Sequence, residues 1–113
     1  TGTHDCDTLL GWYKSLSKDE KDFVDKELNL SGNPSQWEFF KILFHTPAKI
    51  VIVQIQDVLG FGSEARFNFP GTVAKTNWTW KLNLKDTKAI NWHKLAAITD
   101  NSFRAERPDF TCG

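Results

Sequence analysis

The sequence predicts an α/β fold, and within it the closing stretch of a chain in which strands and helices alternate. Three observations carry this. Residues 49–55 are β-branched and nearly continuous in apolar character, with Ile50-Val51-Ile52-Val53 closed by Gln54, as expected of a strand buried on both faces. Ser17-Lys18-Asp19-Glu20 and Ser35-Gln36-Trp37-Glu38 each put a glutamate three residues after a serine, ahead of an apolar run, which is how a helix start satisfies its orphan backbone donors. Finally, one strand is not a sheet. Its two edges need neighbours, the chain offers only the few residues before Asp5, and the missing strands must come from elsewhere.

In chain order, Thr1-Gly2-Thr3-His4-Asp5 reads as a strand end and loop, after which Asp7 or Thr8 caps a short helix carrying Leu9, Leu10, Trp12 and Tyr13, weakened by Gly11. The Ser17 box opens a second helix to about Asn29, with Phe23, Val24 and Leu28 at helical spacing. Ser31-Gly32-Asn33-Pro34 breaks it. The Ser35 box opens a third, with Trp37, Phe40, Leu43 and Phe44 on one face and a stop at Thr46-Pro47. After the strand, residues 57–80 form a loop far longer than usual. Phe61, Phe67, Phe69, Trp78 and Trp80 argue that it packs against something rather than staying disordered. Asp86 or Thr87 then caps a last helix presenting Ile90, Leu95 and Ile98, and residues 104–113 read as a polar tail.

The chain has 113 residues, long enough for one domain, with 14 basic and 14 acidic residues. Zero net charge and the lack of a polybasic run argue against nucleic acid or an anionic membrane as partner. No apolar run approaches the roughly 20 residues of a membrane helix. Cys6 and Cys112 stand apart, with no thiol or histidine at metal-finger spacing, so a reducing, cytoplasmic compartment is expected and neither a disulfide framework nor a structural metal. The sequons at Asn29 and Asn77 are read as chance matches. With no methionine anywhere, the chain is expected to be an excised piece of something longer.

The first chemical candidate is His4-Asp5, at the end of a strand-like start, because side chains just past the C-terminal ends of barrel strands converge on a common site. The plain alternative is that Asp5 caps the following helix; if Asp7 caps it, Asp5 is free. The second candidate is the segment 56–72, where polar groups and glycines concentrate. Its Gly60-Phe61-Gly62 does not lead into a phosphate-binding fingerprint. Asn68 is its best ligand candidate, having both donor and acceptor, while Arg66 is expected to pair with Asp57 or Glu64 or to touch ligand. The third is Asn77-Trp78-Thr79-Trp80, which alternates like a strand. Its indoles serve either the core or, if exposed, as platforms for sugar rings. His45, at a helix C-terminus, and His93 read as structural or solvated.

Taken together, Thr1-Gly2-Thr3-His4-Asp5, Gly11-Trp12-Tyr13, the run from Gln56-Asp57-Val58-Leu59-Gly60-Phe61-Gly62 through Ser63-Glu64-Ala65-Arg66-Phe67-Asn68-Phe69-Pro70-Gly71-Thr72, and Asn77-Trp78-Thr79-Trp80-Lys81-Leu82 resemble the C-terminal end of the 4-α-glucanotransferases, also called amylomaltases or disproportionating enzymes. The resemblance covers residues 1–103. It departs from the family's usual pattern at Phe67 (methionine), Gln54 (proline) and Cys6 (asparagine), none of which removes a charged group. It implies a (β/α)8 TIM barrel of the α-amylase clan, of which residues 1–103 run from the end of strand seven to helix eight, with 104–113 as the tail.

What the resemblance implies for function is retaining transfer of α-1,4-glucan segments between maltooligosaccharides by double displacement, with no metal or organic cofactor. The nucleophile and the acid/base lie upstream of this segment in the family. Asp5 matches the clan's third carboxylate, holding hydroxyls of the reacting sugar, and His4 and Asn68 are implied as substrate contacts. The segment alone is expected to be inactive and to require the preceding part of the barrel. Two competing readings are a non-catalytic glucan-binding module using Trp78 and Trp80, and a metal phosphohydrolase using His4 and Asp5 with His45 and His93.

Overall fold

The computed structural model describes residues 1–105; residues 106–113, with Cys112 and most of the expected tail, lie outside the described residues. The first three predicted helices are present. Helix α1 (Leu9–Ser15) is capped by Thr8, whose hydroxyl accepts the Gly11 N–H. Helix α2 (Lys18–Leu28) starts on the complete Ser17/Glu20 box and ends at Asn29 in the left-handed conformation. In α3 (Gln36–Phe44) the Glu38 carboxylate takes the Ser35 N–H together with the N–H and hydroxyl of Ser31, so one side chain ties the helix start to the preceding break.

Helix α3 carries the core. Phe40 and Phe44 are buried with Val58, Ile90 and Ile98, and Leu9, Trp37, Leu43, Val51, Val53, Ile55, Leu59 and Leu95 close around them. Phe39, also buried, turns to the other side and meets Tyr13 edge-on at 5.8 Å. The Tyr13 hydroxyl donates to Asp25 at 2.7 Å, fastening α1 to α2. That hydrogen bond to a carboxylate, reinforced by burial and the negative charge of Asp25, pushes the phenol up to about 12. An unfolded tyrosine ionises near 10. The stabilisation from this contact is therefore whole below pH 10 and is lost as pH rises through about 12. In the full-length protein, following the Tyr13 Cζ resonance against pH should give a midpoint near 12 that falls towards 10 in Asp25→Asn; a midpoint unmoved by that substitution shows that the contact does not hold the phenol.

The structure departs from the sequence reading in the second half. Among the described residues no strand forms: Lys49 is a bend, residues 50–54 take no regular secondary structure, and Ile55 already belongs to a short helix, α4 (Ile55–Val58). Only alternate side chains of this segment turn inward. Val51 and Val53 pack on the core, whereas Ile50 and Ile52 are 78% and 72% exposed. The physical reason is the one that made a lone strand implausible: no second strand supplies a ladder. Residues 1–5 are likewise irregular, yet they lie where a neighbouring strand would. The amino group of Thr1 donates to the Ile52 carbonyl, the Gln54 N–H donates to the Thr1 hydroxyl at 3.1 Å, and the Gln54 side chain donates to the Thr3 carbonyl at 2.7 Å.

The first two residues of the long loop, Asp57 and Val58, belong to α4, a 3-10 turn (Ser63–Ala65) interrupts it, and it runs on to Asn83 before the next helix begins. The last helix is two helices, α5 (Leu84–Ala89) and α6 (Trp92–Asn101), capped by the side chains of Asn83 and Asn91 rather than by Asp86 or Thr87. Ile90 sits between them, extended and buried. Arg104, expected in the frayed tail, instead donates to the carbonyls of Phe44, Thr46 and Ala48 and binds the end of α6 to that of α3.

Candidate functional site

Two stretches of chain, residues 1–8 and 61–69, meet at the site. Their close approach depends on Gly11. A Cβ there would stand 2.5 Å from Ser63 Oγ and 2.6 Å from Asp7 Oδ1, so the residue that weakens α1 as a helix is what lets it lie against the 3-10 turn. Asp7 completes the contact by accepting the Ser63 hydroxyl at 2.8 Å. With Thr8 as the cap and Asp7 engaged here, Asp5 is left free of helix capping.

Arg66 fixes the juxtaposition. Its Nη2 donates to the Asp5 carbonyl and its Nε to the Asn68 carbonyl, both at 2.9 Å, while its guanidinium lies 3.9 Å over the Phe69 ring. The expected partners Asp57 and Glu64 do not engage it. Asp57 is buried, accepting the Thr1 hydroxyl and the Leu9 N–H, and Glu64 accepts the Gly62 N–H. One cation thus holds the main chains from which two site side chains project.

Those side chains meet. Asn68 Nδ2 donates to Asp5 Oδ1 at 2.7 Å, and His4 Nε2 stands 3.4 Å from Asp5 Oδ2. His4, Asp5 and Asn68 are therefore in one cluster, although Asn68, expected to contact a ligand, spends a donor on Asp5. The His4 and Asp5 side chains remain 58% and 46% exposed, so the carboxylate keeps acceptor capacity towards an incoming hydroxyl. A cleft of about 610 Å³ opens beside the cluster, lined among others by Asp7, Arg66, Asn68, Phe69 and Trp80. The Cys6 thiol follows directly, exposed and free, and hydrogen bonding from Thr3 lowers its pKa.

The tryptophan motif is not a strand. It lies in a turn, with Trp78 in the left-handed region at φ 63°. Its two indoles differ in use: Trp80 meets Phe61 edge-on at 6.3 Å, while Trp78 is 55% exposed and lies 5.2 Å from the His4 ring. Sequence reasoning did not connect Trp78 to His4, or Asp57 to the start of α1, because the partners are dozens of residues apart and no local pattern marks them. His45 bonds the Lys41 carbonyl at 2.6 Å, and no three His, Cys, Asp or Glu side chains group as a metal would need among the described residues, so His45 and His93 do not join His4 and Asp5.

The family model for 4-alpha-glucanotransferase matches residues 1–86. The chain belongs to the 4-alpha-glucanotransferase family. Its similarity to the 4-alpha-glucanotransferase of Thermus thermophilus is 39% identity over 110 residues, 92% of this chain and 22% of that protein. With the chloroplastic/amyloplastic 4-alpha-glucanotransferase of Arabidopsis thaliana it is 39% over 83 residues, 73% of this chain and 14% of the relative. In three dimensions it is similar to an amylomaltase from Streptococcus agalactiae in complex with acarbose, at TM-score 0.80 and 26% identity, over 94% of this chain and 21% of that one. The chain thus spans about a fifth or less of the 4-alpha-glucanotransferases it matches here, and over that span it takes the amylomaltase fold.

Proposed function

We propose that the protein to which this chain contributes transfers α-1,4-glucan segments between maltooligosaccharides with retention of configuration, and that Asp5, His4 and Asn68 form part of its donor-sugar site. The observation that carries the reading is the cluster itself: an accessible carboxylate braced on one oxygen by an amide and flanked on the other by an imidazole. In such a site Asp5 accepts hydrogen bonds from hydroxyls of the reacting sugar, and these tighten as the ring distorts towards an oxocarbenium ion. His4 donates to the same sugar. The nucleophile and the acid/base are contributed by preceding barrel strands, and no metal or organic cofactor enters. Residues 1–5 then end strand seven, residues 49–54 supply strand eight, and α6 is the eighth helix. The Thr1 contacts to Ile52 and Gln54 support that side-by-side placement.

The reaction is tested on the full-length protein with maltotriose. Transfer generates glucose and longer maltooligosaccharides while the number of reducing ends stays constant, whereas hydrolysis raises that number; a rising count, or no reaction, sinks the proposal. Asn68→Ala should lower transfer by about 10- to 100-fold, the range associated with a displaced catalytic group, because Asp5 loses the amide that orients it. Its melting temperature should stay nearly unchanged, since the Asn68 carbonyl, which bonds Arg66, is retained. A variant that loses stability but keeps full activity per folded molecule would make Asn68 a loop brace only. A cytoplasmic location rests on cysteine usage; no helix among the described residues is long and apolar enough to cross a membrane.

A further inference from the structure

The Trp78 backbone is held where bulky residues rarely sit, at φ 63°, by its N–H donating to the Phe67 carbonyl at 2.7 Å. A non-glycine residue kept in that region needs surroundings that enforce it, and such positions concentrate at functional sites. The consequence here is where the indole goes. It stands perpendicular to the Phe67 ring at 5.1 Å and presents itself to the His4 imidazole at 5.2 Å with a 35° tilt. His4 is otherwise an exposed side chain at a turn, and its approach to Asp5, at 3.4 Å, is too long to hold a ring in one rotamer.

We propose that Trp78 is a positioning residue: Phe67 braces the indole, the indole backs the imidazole, and His4 is thereby held at the edge of the Asp5 carboxylate. This deepens the transfer reading and rests on it. It also gives the residue pair Phe67 and Trp78 a joint purpose, since the loop carbonyl that fixes Trp78 belongs to the residue next to Asn68. A ring held in place spends no rotational freedom when the reacting sugar arrives, so the benefit appears in the chemical step more than in substrate affinity.

The test is a double-mutant cycle in the full-length enzyme, with maltotriose disproportionation as the activity and the His4 ring-proton resonances as an independent readout. Trp78→Leu keeps apolar bulk against Phe67 but removes the aromatic face; it should lower kcat about tenfold with KM within about threefold, and Trp78→Phe should recover most of the loss. In a His4→Ala background the same Trp78→Leu change should cost less than about twofold, since a residue acting through another has nothing left to act on. The upfield ring-current shift of the His4 protons should persist in Trp78→Phe and vanish in Trp78→Leu. Equal losses in both backgrounds, or a rise in KM alone, overturn the proposal, the latter making Trp78 a direct sugar contact. If the leucine variant does not fold, Trp78→Asn, which tolerates the left-handed backbone and also lacks an aromatic face, carries the same cycle. Wild-type protein that transfers no glucan fails the activity reading instead, and the ring shift still decides the contact.

Discussion

Asp5→Asn in the full-length protein should reduce kcat by about a thousandfold, close to 4 kcal/mol of barrier, while changing KM for maltooligosaccharides only a few-fold. The size follows from what the carboxylate does. Asparagine at position 5 keeps the shape and one acceptor oxygen but substitutes an NH2 group for the other, so one hydroxyl of the sugar meets a donor where it needs an acceptor. The negative charge that favours a developing oxocarbenium ion also goes. Both losses are greatest where the ring is most distorted, hence the split between kcat and KM. The fold should tolerate the change, because the main-chain carbonyl of Asp5 that takes Arg66 is untouched and the Asn68 amide still has a side-chain oxygen to find. A loss confined to KM, or an enzyme that melts with its activity, removes Asp5 from the reaction.

The helical half of the fold was legible because its signals are local. Ser17 and Glu20 cap each other within one turn, Thr8 caps α1 three residues from its partner, and the apolar spacing of α3 names the residues that form the core. What failed depends mainly on partners outside the segment concerned. Residues 49–55 have the composition of a buried strand, yet strand geometry belongs to a ladder and not to a segment, so without neighbours residues 49–54 form no strand and Ile55 joins α4. Asn77 and Trp78 alternate with threonine and tryptophan in sequence, but Asn77 bonds Thr72 and Phe69 and Trp78 bonds Phe67, which closes a turn. Asp86, read as a cap, serves the cap: it accepts the N–H of Asn83, the true N-cap. At the candidate site, residue types offered His4, Asp5 and Asn68 as candidates, and the family resemblance supplied the roles expected of Asp5 and His4. Their mutual geometry, and the Arg66 and Gly11 contacts that create it, could not be read from spacing.

Expressed alone, the 113-residue chain should not behave as a stable folded monomer. Its surface is too large for its mass: it exposes 8328 Å², where a compact monomer of this size exposes about 6300 Å². Its radius of gyration is 16.1 Å, against about 13 Å for a compact domain of this length. The excess is apolar in the places that matter. Helix α2 buries none of its own residues and leaves Phe23 65% exposed, and the segment 49–54 turns Ile50 and Ile52 outward with backbone groups that no ladder pairs. On the proposed barrel reading those isoleucines would face its interior and the backbone groups would find neighbouring strands; in isolation they expose apolar surface beside unpaired backbone, the combination that drives self-association. The expected result is a chain that aggregates, or that exchanges the amides of residues 50–54 within the dead time, while the same amides in the full-length protein are protected. Light scattering and amide exchange decide it. A monomer whose amides over 50–54 are protected by about 5 kcal/mol or more would make the chain a domain in its own right, and would move the exposed indole of Trp78 from a brace within an active site to the binding face of a glucan-binding module.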